Sequence, residues 1–462
     1  MKKTILLTLA LGLAGAPSLL AGNVDVYITG STAFRANVYT ACQKLFTTGS
    51  STPVYYGDTA HGGATSGFGS STAAWAMTGT PISGLTNLNP SGNTLTIHGL
   101  FTGSIQGMQT TEQSTKLIFP NADGTPNGNC ATYSTNSPTI GFSDASGVST
   151  PYPATGNYVE EQVCVQPFVM VKSTASSGAV TTISNVSWEQ LEYGIPVGRI
   201  PLAAWTSHIT DTNTFVYLMQ RTKDSGTRRC ETAGNYYQYG KTVGIYIYDY
   251  TNNFFYTPTV SAATTYGASP NGVVGSAGLN NANLNWGYGY VAGGDIKNSL
   301  NNNNAANQAI AYLSISDAKG VNTAGGNWAN VLSYNGFWPT AAGAGIHGTT
   351  GTNDYSPITL GYYPLWGLEV LVHPTDPSKI SDQDITKTQL GDQYTPGSFM
   401  GVFNYQTVNY PGSSPLTGSI ENEIELSKTP SGSPAAGATA IRLSDMFNYR
   451  QSVGGTISPP FN

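Results

Sequence analysis

The sequence predicts an α/β chain, and three observations predict it. Apolar residues alternate in short runs, each of these runs ends in a cluster of small polar residues, and after three of the clusters the chain can continue as a helix. Strand, polar turn and helix in that order form the βα unit of a parallel sheet.

The first run is VDVYITG (24–30), in which Val24, Val26 and Ile28 alternate; Gly30-Ser31-Thr32 ends it and ANVYTACQKLF (36–46) follows as a helix. TLTIHGLF (94–101) leads to Thr102-Gly103-Ser104, and QGMQTTEQSTKLIF (106–119) reads as the next helix. PTIGF (138–142) leads to Ser143-Asp144. TFVYLMQ (214–220) leads to Arg221 and Asp224-Ser225-Gly226-Thr227, with RRCETAGNYY (228–237) as the third helix. Ligands of open α/β sheets sit beyond the carboxyl ends of the strands, and all four clusters fall at that edge. Four Gly/Ser/Thr/Asn-rich stretches, roughly 47–93, 121–137, 257–285 and 320–358, are expected to be surface insertions with turn-rich or short β structure. The biased segment 298–308 is expected to be an exposed helix end or loop, and no internal repeat is visible.

Length and composition narrow the function. A chain of 462 residues holds two or three lobes with their own cores. It opens with Met1-Lys2-Lys3, an apolar run from Ile5 to about Ala16, and small residues at Ala21 and Gly22. That pattern is a signal peptide over 1–22, cleaved near residues 21–23, and implies a periplasmic, secreted or cell-surface protein. Only 10% of residues are charged and the net charge is -6, falling to -8 once Lys2 and Lys3 are removed. A net-negative surface is a poor partner for nucleic acid, and an anion site on it must work through local dipoles and one or two placed cations. The four cysteines, Cys42, Cys130, Cys164 and Cys230, allow up to two disulfides, and Cys130–Cys164 is the preferred pair because the two flank one predicted strand. No CxxC and no HExxH occurs, so neither a metal nor a cofactor is expected. No histidine lies beside a carboxylate in a catalytic spacing and no GxSxG elbow is present, so an enzyme is not expected.

The chemistry concentrates at Arg221 and Ser225-Gly226-Thr227. Amides at a helix start carry partial positive charge, Ser and Thr add hydroxyl donors, and Gly lets a ligand approach the backbone. Arg221 adds a forked, permanent charge suited to two oxygens of one anion. Alone, Ser225-Gly226-Thr227 is an ordinary N-cap with a turn glycine. Two further helix starts, at Ser31-Thr32 with Phe34 and at Gly103-Ser104, make a convergent tetrahedral-oxyanion site the better reading. Ser143-Asp144 then supplies an acceptor for a protonated ligand oxygen, which phosphate has near neutral pH and sulfate lacks; without the other clusters Asp144 reads equally well as a turn aspartate.

These motifs resemble the periplasmic phosphate-binding proteins of ABC transporters, within the type 2 periplasmic-binding superfamily. The resemblance rests on ITGSTAF (28–34), TGS (102–104), GFSDAS (141–146), PFVMVKS (167–173), SWEQLEYGIPVGRIPLAAW (187–205) and RTKDSGT (221–227), with AIAYLSISDAKGV (309–321) and YPLWGLEVLV (363–372) further on. It implies a two-lobed Venus-flytrap fold: 23–167 as the first part of lobe I, 168–362 as lobe II, and 363–462 as the return to lobe I. It implies that Ser31, Thr32, Phe34, Gly103, Ser104, Ser143, Asp144, Arg221, Ser225, Gly226 and Thr227 hold phosphate or a related oxyanion in a monomer that serves an ABC permease. Two departures stand out. Lys223 occupies the position two after the arginine that is often acidic in the family, and hydroxyl and aromatic in Ser31-Thr32-Ala33-Phe34 are one residue further apart than usual. The alternative is a surface structural, adhesive or sensory protein with the same fold, in which the tyrosines and Trp286 would line a sugar patch.

Overall fold

In a computed structural model, the described residues are 22–55, 74–88, 92–150, 152, 155–174, 182–222, 225–235, 243–249, 254–256, 289–290, 292–302, 308–318, 320–321, 330–341, 354–376, 385–392, 394–404, 420, 440–446, 449–450 and 457–458. The signal-peptide segment, Trp286 and the stretch 257–285 lie outside them.

The first three polar clusters follow strands as expected. β1 (Asn23–Gly30) leads into α1 (Arg35–Gln43). The short β2 (Val54–Tyr55) and β3 (Ala74–Gly79) precede β4 (Thr94–Leu100), which leads into α2 (Ser104–Glu112). α1 buries Val38, Ala41 and Cys42, an i, i+3, i+4 stripe, against the sheet. α2 ends earlier than its sequence suggests. Ser114 takes a left-handed φ of 52° and Leu117–Pro120 becomes strand β5, pairing with β6 (Tyr133–Asn136). The alternation of Leu117 and Phe119 wins there, because it buries both side chains.

β7 (Ile140–Ser143) carries the third cluster, and the long β8 (Tyr158–Lys172) follows. β9 (Asn185–Val186) leads to α3 (Trp188–Val197), whose start is a capping box between Ser187 and Gln190 and whose end is Gly198 in the left-handed conformation. β10 (Arg199–Pro201), α4 (Ala203–Thr206), β11 (Phe215–Met219) and α5 (Gly226–Gly234) bring the chain past Arg221. The hairpin of β12 (Ile247–Asp249) and β13 (Phe254–Tyr256) precedes α6 (Gly293–Asn302). β14 (Gln308–Ser314), α7 (Ile315–Ala318), β15 (Val331–Tyr334) and β16 (Trp366–Pro374) complete the main sheet. Within 298–308, Ser299 and Leu300 are buried on α6 and Gln308 opens β14, so this segment is not simply an exposed end.

The strand order is β10-β11-β14-β8-β16-β7-β1-β4-β3-β2. β1 runs parallel to β4 and β7, and β11 parallel to β14, as the βα units require. The sheet as a whole is mixed, because β8 and β16 cross its middle antiparallel to each other and to their outer neighbours β14 and β7. They join two apolar cores. One holds Val26, Ile28, Phe34, Ile97, Phe142 and Leu371; the other holds Val169, Val171, Leu218, Ile310, Leu313 and Leu332. The chain is therefore α/β and two-lobed.

Three expectations need correction. The stretch 47–93 is not all surface insertion: β2 and β3 pair into the sheet, and Trp75 and Met77 are fully buried. The stretch 320–358 is not either: β15 pairs with β8 and β9 and is buried throughout, and Tyr355 and Ile358 join the core. The Cys130–Cys164 disulfide is not formed, and all four cysteines are buried thiols. Cys130 packs beside Val54 and Ala76, whereas Cys164 lies within β8 in the core of Val26 and Ile28.

α2 packs backbone-to-backbone on β1 and β7. Gly30 has φ 123°, and a Cβ at Gly107 would fall on the Cα of Gly30. Overpacking of this kind costs about 1–3 kcal/mol. Gly107→Ala is expected to lower chemical-denaturation stability by about that amount; an unchanged midpoint would show that α2 is free to shift.

Candidate functional site

The four polar clusters meet where the two halves of the sheet face each other. Ser31 Oγ donates to Asp144 Oδ1, and the Phe34 amide donates to Ser31 Oγ at 3.2 Å. From the other half, Thr227 Oγ1 donates to Asp144 Oδ2 at 3.0 Å. The Arg221 guanidinium reaches across from the end of β11: Nη2 donates to Thr32 Oγ1 at 3.2 Å, Nη1 to Thr227 Oγ1 at 3.4 Å and Nε to the Tyr290 carbonyl at 3.2 Å. Ser104, at the start of α2, faces Gly226, at the start of α5. A Cβ at Gly226 would lie 2.5 Å from Ser104 Oγ and 3.0 Å from Asp144 Cβ. The site is closed to solvent, with Arg221 3% and Asp144 1% exposed.

Not every predicted residue turns its side chain to this point. The Ser143 hydroxyl stays in its own turn, donating to Ala145 O at 2.7 Å and accepting from the Ala145 amide at 3.1 Å. The Phe34 ring is core, tilted on Phe142 at 5.9 Å. The Gly103 amide donates to Gly30 O at 3.0 Å. Ser225 Oγ accepts from the Arg228 amide at 3.3 Å, which makes it the N-cap of α5. Ser31, Thr32, Ser104, Asp144, Arg221, Gly226 and Thr227 are brought together. Beside them, Thr102 Oγ1 and the side-chain amide of Gln106 are buried without a hydrogen-bond partner among the described residues.

Burial pulls the Arg221 pKa down, and Asp317, Asp144 and Asp295 pull it back. Asp317, on α7, also faces Arg35 of α1 at 3.9 Å, and Arg35 Nη1 donates to Thr32 O. Asp295 accepts from the Ala292 amide at 3.0 Å, and burial pushes its pKa up to about 7. Acidic groups near the guanidinium thus come from α6 and α7, far along the chain; Lys223 and Asp224 lie outside the described residues. Sequence reasoning missed Arg35, Tyr290, Asp295, Asp317 and Glu369. Glu369 carried a signal, since it is the lone acid within an apolar strand.

The arrangement gathers one guanidinium, the starts of three helices and four hydroxyls, of which Ser31 and Thr227 donate to Asp144, around one carboxylate acceptor. That set suits a tetrahedral oxyanion bearing a proton. His98 places its ring nitrogens at Pro120 O (2.7 Å) and Asp25 Oδ1 (3.1 Å), and His373 places Nε2 at Glu161 Oε1 (3.0 Å) and Nδ1 at Pro374 O (3.3 Å). Both histidines are buried with their nitrogens occupied. Among the described residues, no group of three or more His, Cys, Asp or Glu is arranged to hold a metal.

Two outcomes follow from this geometry. Gly226→Ala places a methyl group between α2 and α5 and should hold the halves apart. Cys230, whose Sγ donates to Asp144 O across the junction at 3.2 Å, should then react faster with a thiol reagent; an unchanged rate would show that the junction absorbs the methyl. Glu231 on α5 accepts from Gln220 at 3.1 Å, and burial pushes its pKa from 4.5 up to about 8. Between those values the native state holds a proton that the unfolded chain releases, so stability falls as pH rises through that window. Glu231→Gln should flatten the fall in thermal midpoint from mildly acidic to mildly alkaline pH; identical slopes in both proteins would remove Glu231 as its source.

No protein-family model matches the chain, and no curated protein matches it. Among solved structures it is similar to an ABC-type phosphate transport receptor from Vibrio cholerae, at 12% identity and TM-score 0.34 over 76% of this chain and 87% of that one. It is similar to a phosphate-binding protein from Stenotrophomonas maltophilia, at 12% identity and TM-score 0.29 over 76% and 79%. It is also similar to the ancestral soluble variant of the human phosphate-binding protein, at 13% identity and TM-score 0.32 over 90% and 91%. Likenesses this distant carry no residue roles to the present chain.

Proposed function

We propose that the chain is an extracytoplasmic solute-binding protein that captures phosphate, or a similar tetrahedral oxyanion, between two lobes and delivers it to an ABC permease. The observation that carries this reading is the buried Arg221 guanidinium, met from the opposite half by Thr32 and linked through Thr227 to Asp144. The proposed division assigns 23–167 and 363–462 to one lobe, 168–362 to the other, and 1–22 to a cleaved signal peptide. Thr32, Ser104 and Gly226 supply donors, Ser31 and Thr227 hold the Asp144 carboxylate in place with their hydroxyls, Arg221 supplies charge, and Asp144 accepts the ligand proton. Phe34, Gly103, Ser143 and Ser225 shape the turns that present them. Long-range attraction contributes little in a net-negative protein, so affinity comes from desolvated, pre-aimed contacts.

Calorimetric titration of the ligand-stripped mature protein should show phosphate binding with sulfate silent. Removing one partner of a buried charge pair costs roughly 2–5 kcal/mol, so Arg221→Ala should weaken phosphate binding by about 30- to several-thousand-fold. Asp144→Asn should weaken discrimination against sulfate more than it weakens phosphate binding. A folded, ligand-free protein silent to both ions would move the function to a surface or sensory role.

A further inference from the structure

Glu369 lies in the middle of β16, in an element buried from end to end, and its side chain is fully buried. The strand irregularity between Glu369 and Val370 sits at this point, with Val370 paired to Ser143 of β7. Two residues earlier, a Cβ on Gly367 would lie 2.5 Å from the Asp144 carbonyl oxygen. Glu369 therefore stands directly behind the Ser143-Asp144 turn, where its carboxyl interacts with the Asp144 carboxyl and with Ser31.

The groups packed around it leave it short of donors. Cys164 of β8 is its cross-strand partner. On α5, Cys230 directs its thiol to Asp144 O, Arg228 to Arg221 O, Arg229 to Ser149 O, and Glu231 is bound by Gln220. α2 brings Glu112 at its last position. Ser31 spends its proton on Asp144 Oδ1. Among the described residues no cation pairs with Glu369, and with both acids drawn as carboxylates neither Glu369 oxygen has a donor. Two ionised carboxylates cannot share a dry contact; one of them must hold the proton. Asp144 already receives Ser31 and Thr227, so its charge is solvated by the protein, and Glu369 has no such support.

We propose that Glu369 carries a proton at neutral pH and donates it to Asp144, so that the two carboxyls enter the oxyanion site as a single negative charge. A carboxylate offers about four lone-pair sites. Ser31, Thr227 and Glu369 fill three, which leaves Asp144 one acceptor position for a single ligand O–H. Glu369 is thus a positioning and specificity residue: it limits the negative charge facing the anion and sets how many protons Asp144 still accepts. Burial first, and then Asp144, raises the Glu369 pKa well above the usual carboxylate range. Loss of this proton would place a second charge beside Asp144 and expel the anion, so affinity falls as pH rises through the raised pKa.

This inference rests on the oxyanion reading of the site, and the test separates the two. Carbon-detected NMR of the ligand-free parent, labelled at glutamate carboxyls, should show Glu369 protonated at neutral pH and titrating at lower pH in Asp144→Asn; Glu231, another glutamate held up by burial, should not move. In phosphate titrations at rising alkaline pH, parent affinity should fall by about tenfold, a like-charge effect, while Glu369→Gln, whose amide also donates, should show no such fall. A Glu369 signal already ionised at neutral pH, or Glu369→Gln binding tenfold tighter there, overturns the proposal and leaves the oxyanion reading standing. A protonated Glu369 in a protein that ignores phosphate sustains the proton assignment and sinks the oxyanion reading. If Glu369→Gln does not fold, the NMR titration of the parent and of Asp144→Asn decides.

Discussion

A guanidinium removed from water has to be matched by groups that do not have to be pulled out of water themselves, and the site is built around that requirement. Arg221 spends Nε on the Tyr290 carbonyl of its own half and its two terminal nitrogens on Thr32 and Thr227. Asp144, Asp295 and Asp317 supply opposite charge from three other elements. Because Thr32 and Asp144 follow β1 and β7 whereas Arg221 and Thr227 follow β11, satisfying the arginine also ties the two sides of the sheet together. In the proposed function, closure and ligand binding would draw on the same contacts.

The backbone makes that approach feasible. α2 can start beside β1 because Gly107 rests on Gly30, and α5 can start against α2 because Gly226 has no side chain to meet Ser104. Two helix starts consequently face one point, adding their amides to the hydroxyls without adding net charge. β8 and β16 are the structural counterpart: they cross between the two cores, pair along most of their length, and carry Glu369 to the back of the Asp144 turn. The two paired strands hold both halves of the sheet in register.

Much of this was legible in the residues. The strands ending at Gly30, Leu100 and Ser143 and the helices that begin near Arg35, Ser104 and Gly226 follow from alternation, turn chemistry and capping. Seven of the eleven predicted site residues lie around one point. The others show where pattern reading stops. Ser225 and Ser143 have hydroxyls, but capping and turn formation take them first, and nothing in a one-dimensional pattern ranks those competing uses. Asp295, Asp317 and Arg35 act on the site through tertiary placement, far from the motifs. The stretch 47–93 looked like insertion because its Gly, Ser and Thr outweigh Trp75 and Met77 in any local window, although those two side chains anchor a strand.

The central claim is that an oxyanion lies between the two halves against Arg221 and Asp144. A crystal structure of the mature protein grown with arsenate, with the arsenic located by its anomalous scattering, tests this most directly. The account predicts one strong peak enclosed by Arg221, Ser104, Thr227 and the Asp144 carboxylate, with the lobes closed on it. A peak elsewhere, or none in a well-ordered closed protein, would contradict it.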